Sequence, residues 1–409
     1  MSKKNPTERK FYFVNRYFYP DHSATSQILS DLAFYLSSKG FNIEIITSRQ
    51  KYDDSEAALS KNDVINGVKV NRLATTRFGR VNLLGRSIDY LSFYVSAFFY
   101  MMFNVRSNDV VVAKTDPPLI SVVSAVICKL KGAVQVNWIQ DLFPEVAESL
   151  QVKGISFLYP MLKAARNSSL KMASKNIVIG DLMSSRLLEQ GVKEDKIDII
   201  HNWSIEDNIE PLDASKNPLR EKWNLKDKFI VGYSGNIGRA HEYQTMIDAA
   251  KMLLDNDNIV FLIIGGGAQY KAFKEQAIEL QLHNVHFQPY QPIDVLPYSL
   301  TLPDLHIISL IPELEGLIVP SKFYGIAASG RPVLYIGSNS GEIPKILESN
   351  NCGQTVDIGD SKSAINFINK LNDNYQLSTN MGMSSRKVYD EKYAKLFAFN
   401  SWVRVLNSL

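Results

Sequence analysis

The sequence predicts an α/β protein of two doubly wound halves, and three observations carry that prediction. Short β-branched runs alternate with segments of helical periodicity along nearly the whole chain. The strand candidates are almost continuously apolar, as in parallel sheets covered on both faces. A polar stretch from Ser204 to Lys228, containing Pro211 and Pro218, interrupts the alternation near the middle of the 409 residues, after which it restarts.

The first half offers FYFVN (11–15), NIEIIT (42–47), VVVAK (110–114), VQVNWI (134–139), NIVI (176–179) and IDIIHN (197–202) as strands. Between the first two, Ile28, Leu29, Leu32, Ala33 and Leu36 fall at helical spacing, and Gly40 ends that helix as a C-terminal cap. The second half offers FIVGYSGN (229–236), IVFLIIGGG (259–267), VHFQPY (285–290), LHIISL (305–310) and PVLYIG (332–337). Tyr389 to Leu409 reads as an aromatic-rich helix that packs back on the first half. The expected division is residues 1–205, 206–388 and 389–409. Doubly wound sheets bind ligands beyond the C-terminal ends of their strands, so the residues just after each strand are the ones to read for chemistry.

Composition narrows the function classes. Hydrophobic residues at 45% and charged residues at 21% exclude a disordered chain. A net charge of +3 gives no global field for nucleic acid. Two distant cysteines, Cys128 and Cys352, exclude a disulfide framework and Cys-based zinc motifs, and fit a reducing cytosol. Met1 to Lys10 lacks the apolar region of a signal peptide. Tyr90 to Val105 is uncharged but contains Ser92, Ser96 and Asn104, and falls short of the about 20 apolar residues of a spanning helix. It reads either as a buried helix or as one that dips into a bilayer. Phe157 to Lys175 mixes apolar residues with Lys163, Arg166, Lys171 and Lys175, which suits a solvated helix face or an anionic membrane surface.

Two segments carry the strongest chemical signal. In GYSGNIGRAHEYQTMIDAA, from Gly232, a strand ends in a Gly/Asn/Gly turn and a helix follows. Gly235 and Gly238 let backbone N–H groups approach an anion, Arg239 offers a planar fork for phosphate oxygens, and His241 and Glu242 open the helix beside it. A plain strand–helix turn with a surface arginine would share this pattern. In PELEGLIVPSKFYGIAASGRPVLYIG, from Pro312, Pro320 and Ser321 start a helix and Lys322 lies in its first turn, where a cation opposes the helix dipole. That placement gains sense when an anion sits between them. Glu313 and Glu315 precede it and could accept hydrogen bonds from sugar hydroxyls; for Glu313 a solvated loop is the simpler reading. IIGGG (263–267) lacks the dinucleotide fingerprint, yet Gly266 and its neighbours allow close backbone approach to a nucleotide. In the first half, FYPDHSATSQI places Asp21, His22, Ser23 and Ser26 between strand and helix, and WIQDLFPE puts Asp141 just past a strand end. A lone aspartate there can equally be a structural cap. No grouping reads as a metal site.

Together these segments resemble the retaining, metal-independent glycosyltransferases of family four, and the similarity covers nearly the full chain. FYFVNRYFYPDHSATSQILSDLAFYLSSKGFNIEIITS resembles the family's opening strand, loop and helix. SGNIGRAHE and VPSKFYGIAASGRPV resemble its two phosphate-contacting regions, within a bacterial branch that assembles surface polysaccharide. The resemblance implies the GT-B fold, two Rossmann-like domains facing a central cleft. It implies that Arg239 and Lys322 bind the diphosphate of a nucleotide-sugar, with Gly235, Asn236 and Gly238 lining the pocket and Gly316 in a loop over the donor. Asp141 and the Ser23–Ser26 loop would face the reacting sugar and acceptor. The implied activity is hexosyl or N-acetylhexosaminyl transfer, with retention and without metal or other cofactor. The donor would be a UDP-sugar, or less favoured a GDP-sugar. The acceptor would be a polyprenyl-diphosphate-linked sugar of O-antigen, capsule or exopolysaccharide, at the inner face of the cytoplasmic membrane.

The sequence departs from the family in three places. The family's second glutamate, which holds the ribose, falls near Gly325, and no acid occurs between Glu315 and Glu342. Asn236 and His241 stand where the family often has Arg and Lys. The family's glycine-rich first loop is Ser-Ala-Thr-Ser here. A sugar-nucleotide epimerase of the same fold, and a nucleotide-binding assembly subunit without catalysis, remain alternatives.

Overall fold

The computed structural model describes residues 9–79, 83–152, 154–205 and 209–409. The polar start of the chain and residues 206–208, near the beginning of the expected linker, lie outside them. The chain forms two compact units, Met1–His201 with Ala398–Leu409, and Asn202–Phe397.

The first unit is built on an eight-stranded sheet in the order β3-β4-β2-β1-β5-β6-β7-β8. Its strands are β1 (Lys10–Val14), β2 (Asn42–Ser48), β3 (Asn62–Ile65), β4 (Val68–Leu73), β5 (Val110–Lys114), β6 (Val134–Trp138), β7 (Lys175–Val178) and β8 (Ile197–Ile199). All neighbours run parallel except β3 and β4. That edge hairpin escaped the reading of strands, although Asn66-Gly67 marks it. Both turn residues have positive φ, 49° and 78°, which an Asn-Gly pair tolerates and a two-residue hairpin requires.

Helices α1 (Ala24–Ser38), α2 (Leu83–Asn104), α3 (Ile120–Lys131), α4 (Glu145–Ser149), α5 (Ile155–Met172) and α6 (Asp181–Glu189) connect these strands. α1 buries Ile28, Leu29, Leu32, Ala33 and Leu36, and Gly40 follows its cap in the left-handed region. α2 contains the uncharged stretch and buries Phe93, Ala97 and Met101 at every fourth position against α3 and the sheet. No helix among the described residues is long and apolar enough to cross a membrane.

The second unit carries a six-stranded parallel sheet in the order β11-β10-β9-β12-β13-β14. Its strands are β9 (Phe229–Asn236), β10 (Ile259–Gly266), β11 (Val285–Gln288), β12 (Leu305–Ser309), β13 (Val333–Ile336) and β14 (Gly353–Val356). Its helices are α7 (Pro218–Lys222), α8 (Gln244–Met252), α9 (Tyr270–Glu279), α10 (Leu296–Thr301), α11 (Lys322–Ala328), α12 (Glu342–Asn350), α13 (Ser361–Asn372) and α14 (Tyr375–Val388). β14 also escaped the reading, because Gly353, Gln354 and Thr355 give a short edge strand no apolar run.

The C-terminal segment is not one helix. Tyr389–Tyr393 forms a π-turn in the second unit, where Tyr393 packs on Phe323 and Tyr324. Helix α15 (Lys395–Ser408) follows, and its residues from Ala398 belong to the first unit. There Trp402, fully buried, meets Trp138 at 4.7 Å and Phe13 at 6.2 Å between ring centroids. The aromatic residues that made the segment legible as a packing element thus divide between two cores.

Candidate functional site

In the second unit the signals of the sequence converge at the C-terminal ends of β9 and β10. Gly235, with φ 117°, and Gly265, with φ 139°, stand side by side in the register of the two strands. A Cβ on Gly265 would lie 2.2 Å from the Gly235 carbonyl oxygen, and one on Gly267 would lie 2.1 Å from Oδ1 of Asn236. Only glycine permits that approach. The IIGGG run therefore serves the packing of one loop on another.

The loop that follows β9 directs its carbonyls inward. Gln269 is the residue that holds it: its side-chain amide donates to the carbonyls of Gly238 at 2.6 Å and His241 at 2.7 Å, and its backbone N–H donates to Ile237 at 3.0 Å. Ile311 N–H donates to the Ala240 carbonyl at 3.0 Å. The backbone N–H groups of Gly238, Arg239 and Ala240 donate to none of the described residues. Successive N–H groups without a protein acceptor are what an anion-binding loop offers.

Lys322 begins α11 and reaches the same strand end. Its Nζ donates to the Asn236 carbonyl at 3.2 Å and to the Tyr233 hydroxyl, and sits 4.0 Å from the centre of the Tyr233 ring. The Tyr233 hydroxyl donates in turn to the Asn236 carbonyl at 3.1 Å. Burial among these neutral acceptors pushes the Lys322 ammonium down to about 7. A Cβ on Gly235 would meet the lysine Cε at an ordinary 3.5 Å, so its φ of 117°, and not lack of space, is what calls for glycine there.

His241 donates from Nδ1 to the Ser309 carbonyl at 2.6 Å; a carbonyl only accepts, so the proton is on Nδ1. Burial and then the charge of Lys322 push the imidazole down to about 3, leaving a neutral ring with an accepting Nε2. Glu242 caps α8 by accepting from Thr245 N–H at 2.9 Å, while its Oε2 is buried without a partner. Arg239 is exposed and makes no hydrogen bond or ion pair with the described residues. Ser321 is exposed ahead of α11 and its side chain makes no cap bond. Gly316 turns the preceding loop with φ 75°.

Glu315 occupies a different environment from the one its sequence context suggests. It is 8% exposed, accepts from the Tyr335 hydroxyl at 2.6 Å, and also accepts from the backbone of Glu342 at the start of α12. Gly341 is tight against it, since a Cβ there would fall 2.4 Å from its Oε1. Burial raises the carboxyl above its ordinary value. In the structure Glu315 links Tyr335 of β13 to the start of α12.

The first unit has its own cluster at the ends of β5 and β6. Lys114, buried, donates to the Thr25 carbonyl at 2.8 Å and lies 4.1 Å from the Trp138 ring centre. Burial pushes it down to about 7, against the opposing pull of Asp116 and Asp141. Asp141 is pushed up to about 6 by burial, with a hydrogen bond from Thr115 working the other way. Its Oδ1 has no partner, and it lines a small cavity of about 30 Å³ with Lys114, Thr115 and Asn137. Asp21 organises the nearby loop: its Oδ1 accepts from Ser23 N–H at 2.8 Å and Ser23 Oγ at 2.5 Å. His22 is exposed and pairs with Asp53 at 2.7 Å. Among the described residues no group of three or more His, Cys, Asp or Glu side chains could hold a metal ion.

Gln269 and Tyr233 went unread in the sequence. Both act through polar atoms on backbone carbonyls, which no spacing rule marks.

Residues 215–388 match the family described as glycosyl transferases group 1. WbjE of Pseudomonas aeruginosa, named a probable glycosyltransferase, is 24% identical over 305 residues, 74% of this chain and 76% of its own. WcaI of Escherichia coli K12, by name a glycosyl transferase of colanic acid biosynthesis, is 25% identical over 349 residues, 83% and 85% of the two chains. Among solved structures, the sucrose-phosphate synthase of Thermosynechococcus elongatus superposes with a TM-score of 0.79 at 13% identity, over 98% of each chain. HepE of Anabaena, solved in complex with UDP and glucose, superposes with a TM-score of 0.73 at 17% identity, over 98% of this chain and 100% of its own. Residues 215–388, the greater part of the second unit, are thus similar to group 1 glycosyltransferases, and the chain has the two Rossmann-like units of the GT-B fold.

Proposed function

We propose that the protein transfers a sugar from a UDP-sugar to a lipid-linked saccharide in bacterial surface-polysaccharide synthesis, with retention of configuration and without a metal. The carrying observation is that Lys322 binds the last residue of β9, and the loop that follows it carries the N–H groups of Gly238, Arg239 and Ala240 without a partner among the described residues. A diphosphate is the anion that such a constellation suits. It accepts from the amide groups and, as a leaving group, gains charge that the ammonium stabilises. Arg239, on the same loop and otherwise unengaged, is a second cation for it. The neutral His241 accepts from a donor-sugar hydroxyl through Nε2. Glycosyltransferase names among the relatives support the surface-polysaccharide setting, and the UDP held by HepE supports the nucleotide.

In the reaction, the acceptor hydroxyl oxygen forms the new bond to the anomeric carbon as the bond to the β-phosphate oxygen breaks. The leaving phosphate takes the acceptor's proton, and the products are the elongated saccharide and UDP. Asp141, unpartnered at one oxygen and poised near neutrality, receives a hydroxyl of the reacting sugar or acceptor. The peripheral membrane location proposed with the lipid acceptor suits the apolar helix α2.

The test is a thermal-shift panel of UDP, GDP, dTDP and their sugars, followed by transfer assays. UDP and a UDP-sugar raise the melting temperature, EDTA leaves transfer intact, and Lys322→Ala and Arg239→Ala each abolish transfer while the protein stays folded. Full activity of either variant refutes the diphosphate assignment, and strict metal dependence refutes the mechanism.

A further inference from the structure

Helix α2 presents an apolar stripe on the side opposite its buried one. Leu84, Leu91 and Phe103 are 74%, 61% and 81% exposed, and Ile88, Val95 and Phe99 continue the line between them. At 1.5 Å per residue the stripe runs about 28 Å. A helix whose outer face met only water would carry charges there. The neighbouring helices repeat the pattern. α3 packs against both α2 and α5, and Leu130 of α3 with Phe157 and Met161 of α5 are likewise exposed.

The charges of these three helices are one-sided. Their sequences contain a single acid, Asp89, which is buried on Arg16 at 3.1 Å. Arg86, Lys129, Lys131 and Lys171 belong to the same helices and form no ion pair with the described residues. Val95, Phe99 and Phe103 of the stripe line a groove of about 590 Å³ together with Arg49 and Lys61. Apolar side chains flanked by unpaired cations, with no exposed carboxylate among them, complement an anionic lipid surface.

We propose that the outer face of α2 seats on an anionic bilayer, its apolar stripe at the boundary between headgroups and acyl chains and its flanking cations against the headgroups. The proposal deepens the membrane-associated reading above by assigning the surface and the lipid charge, and it rests on that reading only for its purpose.

The experiment is co-sedimentation of the full chain with phosphatidylcholine vesicles, with and without about one-third phosphatidylglycerol. The expected result is binding to the anionic vesicles and weak binding to the neutral ones. Phe99→Ser with Phe103→Ser lowers binding by about tenfold per ring removed, and Lys129→Gln with Lys131→Gln by about fivefold per charge. Circular dichroism and the UDP-induced thermal shift confirm that each variant remains folded with its donor site intact. Wild-type protein indifferent to anionic vesicles, or undiminished binding by the phenylalanine variant, overturns the proposal. So does a sedimentation result in which the wild type is a dimer and that variant a monomer, which assigns the face to a second copy. A wild type that binds vesicles but no nucleotide overturns the functional reading instead.

Discussion

Lys322 makes the nucleotide site a proton-linked one. In the free protein its ammonium is pushed from an ordinary 10.5 down to about 7, by burial beside Tyr233 and Asn236. A bound diphosphate restores the charged form, so the protonated lysine binds and the neutral one must first take up a proton. The gap of about 3.5 pH units corresponds to about 5 kcal/mol, the ceiling on what the charge contributes. The sign follows from linkage: UDP binds best below about pH 7, and its Kd rises by about tenfold per pH unit above that. The diphosphate itself, with a last ionisation near about 6, changes little in this window. Isothermal calorimetry in buffers of different ionisation enthalpy reads the effect directly. Uptake of about half a proton is expected at pH 7 and about 0.9 at pH 8. Lys322→Met binds UDP weakly and with no uptake. A UDP affinity that stays flat from pH 7 to pH 9, or the same uptake in Lys322→Met, refutes the reasoning.

Other consequences are as definite. Gly265→Ala puts a methyl group 2.2 Å from the Gly235 carbonyl, and it should cost at least about 2 kcal/mol in chemical denaturation together with the UDP-induced thermal shift. Gln269→Leu frees the carbonyls of Gly238 and His241 and should raise the KM for donor more than it lowers kcat; an unchanged KM would separate Gln269 from donor binding. Asp141 is raised from 3.8 to about 6 in the folded protein, so its contribution to stability is full below about pH 4 and is lost as the pH rises through 6. Up to about 3 kcal/mol of stability lost between pH 4 and pH 6.5 should therefore be absent from Asp141→Asn, and equal pH profiles would contradict the burial argument. Trp402→Ala empties the space against Trp138 and Phe13 and should cost about 3–5 kcal/mol, whereas a loss under 1 kcal/mol would mean that the C-terminal helix is dispensable to the first unit.

The parallel strands were legible because burial on both faces demands apolar runs, which β1, β5, β9 and β10 display in full. The β3–β4 hairpin and β14 lie at sheet edges, where one side meets solvent and the pattern dissolves into polar residues such as Asn62, Lys69 and Gln354. In the candidate site, Gly235 and Lys322 were legible for a similar reason, while in the IIGGG run the reading settled on Gly266 and the close approach is made by Gly265. Gly235 and Lys322 each violate a local preference, by a positive φ or a cation at a helix start, and such violations stand out in a sequence. His241 showed only its position, because its neutrality depends on Ser309 and Lys322, which are 68 and 81 residues away in the chain. Asp141 was visible as an aspartate after a strand, but its raised pKa comes from burial, reinforced by Asp116 and opposed by Thr115 and Lys114, which only folding assembles.

The place of the family's second glutamate, near Gly325, and the loop glutamate Glu315 lead to one physical consequence. Gly325 carries no side chain, and a Cβ there would meet Leu300 at 3.3 Å, so the fourth residue of α11 contributes packing and no carboxylate. Glu315 keeps its carboxylate but uses it on the Tyr335 hydroxyl and the start of α12. At the strand ends the donors are the N–H groups of Gly238, Arg239 and Ala240, the Lys322 ammonium and the Arg239 guanidinium, while the acceptors left over are Nε2 of His241 and Oε2 of Glu242. Donors recognise phosphate oxygens and do not distinguish one ribose from another. Nucleotide affinity should therefore reside mainly in the diphosphate, so that uridine alone binds at least about a thousandfold more weakly than UDP. Competition calorimetry measures the ratio. A uridine affinity close to that of UDP would show that a ribose or base contact elsewhere replaces the missing carboxylate.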